Sequence, residues 1–434
     1  MDKMADVLGR AGAWCGQNKY LSAIKNAFQN FMPLTIAGAI GVLWCNVLVN
    51  DQTGLGIFFK PIMALDFLNP AFQAVNFCTI SCITVGITLG IAQEIGVWNM
   101  GAEKAGYIPG LVGLAAWLSV TNTSHMVEGA KEAFTGIAGN ELGATGLFTG
   151  MIIGVLSVEL FCFFEKQDAL KIKMPEQVPP GVARAFEVLV PATITLIITA
   201  CIGSACYNLT GLYLNDVIKN GIQGPLGAVG ATIPGVMIIY LVIMLFWLVG
   251  IHGNNMLSAV KEALFTPLAL ENVEKFNKGE KPTNIINMYF LQMCGEFGGS
   301  GVTIGLVIAI MIFGKREDNK AIASLSLVPG LFNINETVTF GIPMVLNPIL
   351  GIPFVFACLV TILVGYVLTV IGFCPVACLT VPWTTPPLVF GFLATGANIM
   401  GAVTQAILIV VSTVIYTPFL IAYEKYQNEQ AAEA

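Results

Sequence analysis

Charged residues are scarce in this sequence. Twenty Lys and Arg and 26 Asp and Glu make up 11% of its 434 residues, whereas an ordinary soluble domain carries roughly 25%. The longest run without a charge, 337–423, contains 87 residues. Because a helix needs about 20 apolar residues to cross a bilayer, such runs exclude a soluble globular domain and predict an all-α polytopic membrane protein. A membrane β-barrel is excluded as well, since no series of alternating segments of about ten residues is present.

Patterns for familiar enzyme chemistry are also missing. Only two histidines occur, no set of cysteines and histidines has the spacing of a metal site, and there is neither a phosphate-binding loop nor a Ser/His/Asp arrangement. The eleven cysteines lie mostly in apolar runs, where they are expected to be small buried hydrophobes. The basic clusters are short, so nucleic-acid binding is not supported. We therefore expect no metal, no cofactor and no nucleic-acid partner.

Apolar runs with at most one charge predict spans in the first part of the chain, near 27–50, 67–93, 107–121, 145–164, 186–208 and 226–250. If the N-terminus is cytoplasmic, alternation leaves three of the twenty Lys and Arg outside, namely Lys60, Lys131 and Lys219. Cytoplasmic loops normally carry the excess of basic residues, so both termini are predicted to be cytoplasmic. Residues 1–26 alternate charged and apolar positions and predict an amphipathic lead-in rather than a cleavable signal.

The apolar pattern becomes irregular in the second half. Only about 32 residues separate the basic segments 261–281 and 314–320, which is too few for two full spans. The glycine-rich stretch GEFGGSG (295–301) breaks this piece. Further breaks are expected in PGLFNINETVTFGIP (329–343) and CPVACLTVPWTTPP (374–387).

These breaks divide the chain. Non-helical backbone at membrane depth is tolerated only against protein or a water-filled cavity, and paired broken helices indicate the substrate site of a transporter. We predict re-entrant hairpins near 284–300 and 330–350. The regular spans of 1–208 form one domain, 209–224 an amphipathic linker, and 225–434 the domain that binds substrate.

Glu336 is the only charged residue between positions 321 and 423. Placing a charge near the bilayer centre costs about 2.5–3.5 kcal/mol on insertion scales, and such residues usually face a cavity. Asn333 and Asn335 add amide groups beside it. The alternative interpretation is structural, in which Glu336 pairs with a distant cation or caps a half-helix.

His252 lies in the sequence GIHGNN, between glycines that argue against plain helix. Asn254 and Asn255 follow it. A lone histidine is often a satisfied core residue, but its glycine and asparagine neighbours favour a functional site. We therefore predict that His252 and its asparagine neighbours belong to a functional site.

Glu296 is the third polar residue of interest. It is expected to pair with a base, cap a helix or accept a hydrogen bond from a substrate hydroxyl. Gly299 and Ser300 offer backbone and hydroxyl groups to a ligand. Trp247 and Trp383 are candidates for stacking on a sugar ring, and an anchor at the membrane interface is the alternative for each.

Together these motifs resemble the membrane-embedded IIC component of the bacterial phosphoenolpyruvate:sugar phosphotransferase system. The Phe-Asn-Ile-Asn-Glu run at 332–336, GIHGNN and GEFGGSG are similar to three hallmarks of its lactose/cellobiose/diacetylchitobiose branch. The diacetylchitobiose transporters are the most similar subgroup, and the resemblance covers essentially the whole chain.

The resemblance implies a homodimer in the bacterial inner membrane. The N-terminal half would form the dimer contact, and the C-terminal half would carry substrate by an elevator-like shift. About ten spans, two re-entrant hairpins and amphipathic helices are implied, although hydropathy alone gives eight or nine spans.

The resemblance also implies uptake of a β-linked disaccharide, with diacetylchitobiose or cellobiose as the expected substrate. Its 6-hydroxyl would attack the phosphocysteine of a separate IIB protein, which is supplied with phosphate by IIA. Glu336 and His252 would be catalytic, and the asparagines would bind ring hydroxyls. This chain is expected to be the permease component, unable to transfer phosphate alone. The alternatives are a proton-coupled symporter that uses Glu336 as its proton site, and a channel or scaffold.

Overall fold

The computed structural model describes residues 10, 13–14, 17–51, 55–125, 134–175 and 177–433, so part of the predicted N-terminal lead-in lies outside the described residues. Of the residues that the structure describes, 77% are helical. Within the described ranges, the one pair of strands is β1 Ser124–His125 and β2 Phe134–Thr135, which pair antiparallel with Ser124 opposite Thr135. The predicted all-α class is confirmed.

The first part of the chain forms helices of very different lengths. They are α1 Lys19–Leu43, α2 Asn69–Asn76, α3 Ile83–Met100, α4 Ala102–Ala105, α5 Ile108–Val120, α6 Gly139–Leu142, α7 Ala144–Glu165, α8 Pro180–Thr210, α9 Leu214–Ile218 and α10 Gly224–Gly230. Short π-helical or 3-10 segments connect several of these helices. They are Trp44–Leu48, Leu55–Ile57, Lys60–Leu68, Phe77–Ser81, Asp168–Leu170 and Lys219–Gln223.

The second part alternates long helices with fragments of one or two turns. The helices are α11 Ile233–Leu248, α12 Gly253–Met256, α13 Ser258–Asn277, α14 Met288–Gly295, α15 Ile304–Phe313, α16 Glu317–Leu331, α17 Glu336–Gly341, α18 Gly351–Val370, α19 Val389–Ala394 and α20 Ile399–Glu433. A 3-10 turn at Ser300–Val302 lies between α14 and α15.

Local sequence explains where the long helices begin and end. Helix α8 starts at Pro180, whose fixed φ and missing N–H suit the first helical position. It ends before Gly211, which adopts φ 72° and donates its N–H to the carbonyl of Tyr207, the common glycine termination of a helix. Helix α11 starts beside Thr232, whose hydroxyl accepts the N–H of Gly235 at 3.2 Å.

Candidate membrane spans can be identified by length and apolar composition. Among the described residues, five helical stretches meet both conditions, namely Lys19–Leu48, Ala144–Glu165, Pro180–Thr210, Gly351–Val370 and Ile399–Ala432. Two bent pairs raise the number to seven if each pair is one span: Lys60–Ser81 with Ile83–Met100, bent by 42°, and Met288–Val302 with Ile304–Phe313, bent by 59°. These five to seven candidate spans confirm a helical protein with several membrane spans. The predicted number of about ten spans stays a prediction.

The chain divides into two compact units. The regular unit contains Gln17–Gly38 and Ala74–Gly227, and the broken-helix unit contains Ala39–Gln73 and the chain from Ala228 onward, with the described residues before Gln17. The predicted roles of 1–208 in dimerisation, 209–224 as a linker and 225–434 in substrate binding stay predictions.

The regular unit packs α3, α5 and α7 closely. Trp117 and Ala116 of α5 are fully buried and form a cluster with Ile153 of α7. Glycines permit the close approach, since a Cβ on Gly113 would lie 2.3 Å from Cβ of Ala92. At that distance an added methyl group would force the helices apart, because interiors are packed as densely as organic crystals.

Candidate functional site

The glycine-rich break ends α14 at Gly295. Asn287 caps the start of this helix by accepting two backbone N–H groups. Beyond Gly295 the chain takes positive φ at Gly298, Gly299 and Gly301, with values of 67°, 88° and 72°. Only glycine adopts such angles without strain. The break therefore falls where the sequence predicted it.

Side chains from distant parts of the chain satisfy the backbone of this break. A buried N–H or C=O without a partner costs roughly 1–3 kcal/mol, so each needs a hydrogen bond. Three side chains donate to carbonyls: Cys358 Sγ to Gly295 O (3.2 Å), Asn335 Nδ2 to Ser300 O (2.8 Å) and Tyr416 OH to Gly301 O (2.8 Å). The fourth, Asn333 Oδ1, accepts the N–H of Gly298 (2.6 Å).

Asn333 joins three irregular segments. It adopts φ 64°, a left-handed conformation that asparagine tolerates better than most residues. Its Oδ1 accepts the N–H of Gly298, and its Nδ2 donates to the carbonyls of Trp383 and Thr385. The breaks predicted near 295, 333 and 380 therefore meet at one amide group.

Asn335 and Gly299 fit against each other. Asn335 is buried, with 5% of its surface exposed, and its Nδ2 donates to the carbonyl of Ser300 at 2.8 Å. A Cβ on Gly299 would lie 2.6 Å from Cβ of Asn335. Gly299 is thus required by both its φ angle and this contact.

His252 caps the short helix α12. Its Nδ1 accepts the backbone N–H of Asn255 at 3.2 Å, which leaves Nε2 as the nitrogen that carries the proton in the neutral ring. The Nε2 atom faces Glu336, at 4.0 Å from Oε1. The imidazole also packs on the indole of Trp247, with ring centroids 4.4 Å apart.

Glu336 is the first residue of α17 and has a half-exposed side chain, at 48% of its full accessibility. Among the described residues, no Lys or Arg lies within 4.0 Å of its carboxylate, and His252 is its one titratable partner at that distance. Of the structural alternatives, pairing with Lys or Arg is therefore not seen in the part of the chain that the structure describes. The structure brings the two predicted catalytic residues together.

Glu296 pairs with a base. Its Oε1 contacts the ammonium group of Lys261 and accepts the hydroxyl of the fully buried Tyr240 at 2.7 Å. Lys261 lies on α13 and is only 6% exposed. The sequence predicted a basic loop at 261–281. That prediction is wrong for Lys261, which lies in the first turn of α13 and is buried in the broken-helix unit.

Asn254 links Lys261 of this pair to Ser300. Its Oδ1 accepts from Lys261 Nζ at 3.3 Å, and its Nδ2 donates to the hydroxyl of Ser300 at 2.9 Å. Asn255 differs from it. Its side chain is exposed, and its backbone N–H and carbonyl bond to His252 Nδ1 and the Ser258 hydroxyl.

The two candidate tryptophans have different surroundings. Trp247 is buried, at 3% exposure, and lies between the rings of His252 and Phe354. It supports the imidazole and has no open face for stacking on a sugar. Trp383 is 44% exposed, so its predicted stacking role stays a prediction.

Sequence reasoning missed Lys261 and Tyr240. Spacing held one weak signal, since residues seven apart lie on one face of a continuous helix. The structure, however, divides this stretch at Leu257 and places Asn254 on α12 and Lys261 on α13. No comparable signal pointed to Tyr240, which sits in an apolar span 56 residues before Glu296.

Polar residues that converge from broken helices in an otherwise apolar chain define the site of a membrane transporter. The comparison with protein families is specific: the model of the phosphotransferase system EIIC family matches residues 25–358. This chain belongs to that family.

Individual relatives cover nearly the whole chain. The oligo-beta-mannoside-specific EIIC component of Bacillus subtilis is 33% identical and aligns over 100% of this chain and 97% of its own. The cellobiose-specific EIIC component of Lactococcus lactis is 29% identical over 98% of each. The crystal structure of ChbC, the IIC component from the N,N'-diacetylchitobiose-specific phosphotransferase system, superposes with a TM-score of 0.88 at 30% identity and covers 97% of both chains.

Proposed function

We propose that this EIIC component takes up a β-linked disaccharide and presents its 6-hydroxyl to a phosphorylated IIB protein. The relatives that support this substrate class are named for oligo-β-mannosides, cellobiose and diacetylchitobiose. These sugars share the β-linkage, and cellobiose and diacetylchitobiose are the substrates proposed here.

The observation that carries the proposal is the distance between His252 and Glu336. The 4.0 Å from Nε2 to Oε1 is too long for a hydrogen bond. It is short enough for one hydroxyl oxygen, about 2.8 Å from each atom, to bridge them. His252 then donates to that oxygen, and Glu336 accepts its proton.

The chemistry follows from this placement. The 6-oxygen forms a bond to the phosphorus of phosphocysteine, the phosphorus–sulfur bond breaks, and the thiolate leaves on IIB. The hydroxyl proton passes to the Glu336 carboxylate, a general-base role that contributes typically 10²–10⁴-fold. Phosphoryl transfer otherwise depends on positioning and charge stabilisation, which fits a component that works with IIA and IIB.

Two of the four predicted substrate-binding asparagines already use their amides in hydrogen bonds to the backbone. The amides of Asn333 and Asn335 already hold the backbone of the glycine-rich break. We therefore assign them to the shape of the site, and assign direct sugar contacts to Glu336, His252, Asn254 and Asn255.

Transport itself is proposed by analogy with the family. The chain would act as a homodimer in the bacterial inner membrane, with ten spans, cytoplasmic termini and an elevator-like movement of the substrate domain. The excess of Lys and Arg in the predicted inside segments supports the orientation.

Binding to the purified protein tests the proposal. We expect saturable binding of cellobiose or diacetylchitobiose by titration calorimetry, with lactose as a third β-linked sugar and maltose as the α-linked control. Binding of maltose alone, or of none of the four, would contradict the proposed substrate class.

A further inference from the structure

The buried pair of Lys261 and Glu296 has no part in the proposed reaction. Both side chains are largely shielded from solvent, at 8% and 19% exposure, and the Tyr240 hydroxyl donates to the same carboxylate oxygen. Burying two charges costs as much desolvation energy as their attraction returns. Stability alone therefore does not account for this pair.

Lys261 fixes the orientation of one amide group. An ammonium group has three donors and no acceptor. One contact goes to Glu296, and another goes to Oδ1 of Asn254 at 3.3 Å. Because the amide oxygen faces Lys261, its nitrogen must face Ser300, and Nδ2 donates to the Ser300 hydroxyl oxygen at 2.9 Å.

The orientation of the Asn254 amide also determines the role of the Ser300 hydroxyl. A serine hydroxyl has a single proton to donate, and the hydroxyl oxygen of Ser300 is occupied as an acceptor of the Asn254 amide. In the described part of the chain no acceptor takes that proton. The second N–H of the half-buried Asn254 amide is likewise unassigned. Asn254 and Ser300 thus form a corner that offers donors.

Glu336 has the opposite character, because a carboxylate only accepts. The site then has an acceptor at Glu336 and a donor corner at Asn254 and Ser300. A sugar oxygen without a proton of its own, such as a ring, glycosidic or acetamide oxygen, is complementary to the donor corner.

We propose that Lys261 is a positioning residue that sets the hydrogen-bond polarity of the sugar site, by holding Asn254 and Ser300 as donors toward a sugar oxygen. This assignment rests on the proposed function. The side chain of Lys261, which is 8% exposed, is assigned no direct contact with the substrate. Its loss is expected to weaken sugar binding and raise KM, while kcat at saturating sugar changes little.

The first test removes the charge pair as a unit. In Lys261→Met/Glu296→Gln no unpaired charge remains, so the protein should fold, with a melting temperature no lower than that of Glu296→Gln, in which the Lys261 ammonium group is buried without its carboxylate. If Lys261 sets polarity, calorimetry should show sugar binding about tenfold weaker than in Glu296→Gln, since the Asn254 amide has lost its charged donor. Equal affinities of the two variants would mean that Lys261 only neutralises Glu296, and would overturn the proposal.

The second test reverses the polarity while Lys261 stays. In Asn254→Asp/Glu296→Gln the net charge of the site equals that of the wild type. Aspartate only accepts, so it keeps the contact with Lys261 but forces the Ser300 hydroxyl to donate to it. We again expect binding about tenfold weaker than in Glu296→Gln, and unchanged binding would overturn the proposal. This variant carries the test if the first does not fold.

Lys278 provides a matched control. It pairs with Glu274 at 2.6 Å at the end of the same helix, and both side chains are exposed. Lys278→Met should leave the sugar affinity and KM unchanged. If the wild-type protein binds none of the β-linked disaccharides, the proposed function fails and this assignment fails with it. If the wild type binds sugar and either double variant binds like Glu296→Gln, only the assignment of Lys261 fails.

Discussion

The two units of the molecule satisfy their backbones in different ways. In the regular unit, Ala144–Glu165 and Pro180–Thr210 run without interruption, so each helix makes its own hydrogen bonds. In the broken-helix unit the chain leaves the helix repeatedly, and amide, thiol and hydroxyl side chains bond to the freed N–H and C=O groups. A polar residue in an apolar region therefore serves either the backbone or a ligand.

The carboxylates show the same contrast. Glu165 of the regular unit is 1% exposed and lies within 4.0 Å of Lys104, Lys171 and Arg184. Glu296 is held by Lys261 and Tyr240. Glu336 is half exposed and faces only a histidine. Of these three, it is the carboxylate whose partners leave it open to a substrate.

The largest effect is expected at Glu336. Glu336→Gln should reduce phosphorylation of the bound sugar by roughly 10²–10⁴-fold, because glutamine accepts a hydrogen bond but takes no proton. Transfer of radiolabelled phosphate from phosphorylated IIB measures the rate. Sugar binding to the same variant should persist, and a wild-type rate would rule out the catalytic carboxylate.

Lys261→Met alone should destabilise the protein strongly. It leaves Glu296 buried without its cation, a change that costs about 3–5 kcal/mol. Denaturation in detergent measures the loss. Lys278→Met breaks an exposed pair on the same helix and should give no measurable change. If the two variants were equally stable, Lys261 would not stabilise a buried Glu296 carboxylate, contrary to this prediction.

Substitutions of Asn333 test whether its amide supports the backbone of the glycine-rich break. Asn333→Ala removes the acceptor for the Gly298 N–H, which should cost about 1–3 kcal/mol. Asn333→Asp keeps that acceptor but places a carboxylate oxygen against the carbonyls of Trp383 and Thr385, which need a donor, so it should be the more damaging change. Comparison of their denaturation midpoints decides, and the opposite order would argue against the backbone role.

The smallest effect on function is expected in the regular unit. Glu165→Gln weakens a cluster whose partners, Lys104, Lys171 and Arg184, all lie within that unit. Stability should fall, whereas the sugar dissociation constant should stay within about twofold of wild type because independent sites act additively. A large loss of affinity would show that the carboxylate clusters are coupled.

Much of this arrangement was predictable, and the remainder has a physical reason. Glycines predicted the break after Gly295, and the lone charge predicted Glu336 as a site residue. The proximity of His252 to Glu336 was expected from the family resemblance. Periodicity carries no information on contacts such as Asn333 with Gly298, because 35 residues separate them. Lys261 was misassigned since counting charges does not reveal which turn of a helix is buried.

The most direct test of the account is the product of uptake. Membrane vesicles that contain the wild-type chain and are loaded with phosphorylated IIB should accumulate the disaccharide as its 6-phosphate, without need of a proton gradient. Accumulation of free sugar driven by a proton gradient would contradict the account and favour a symporter in which Glu336 is the proton site.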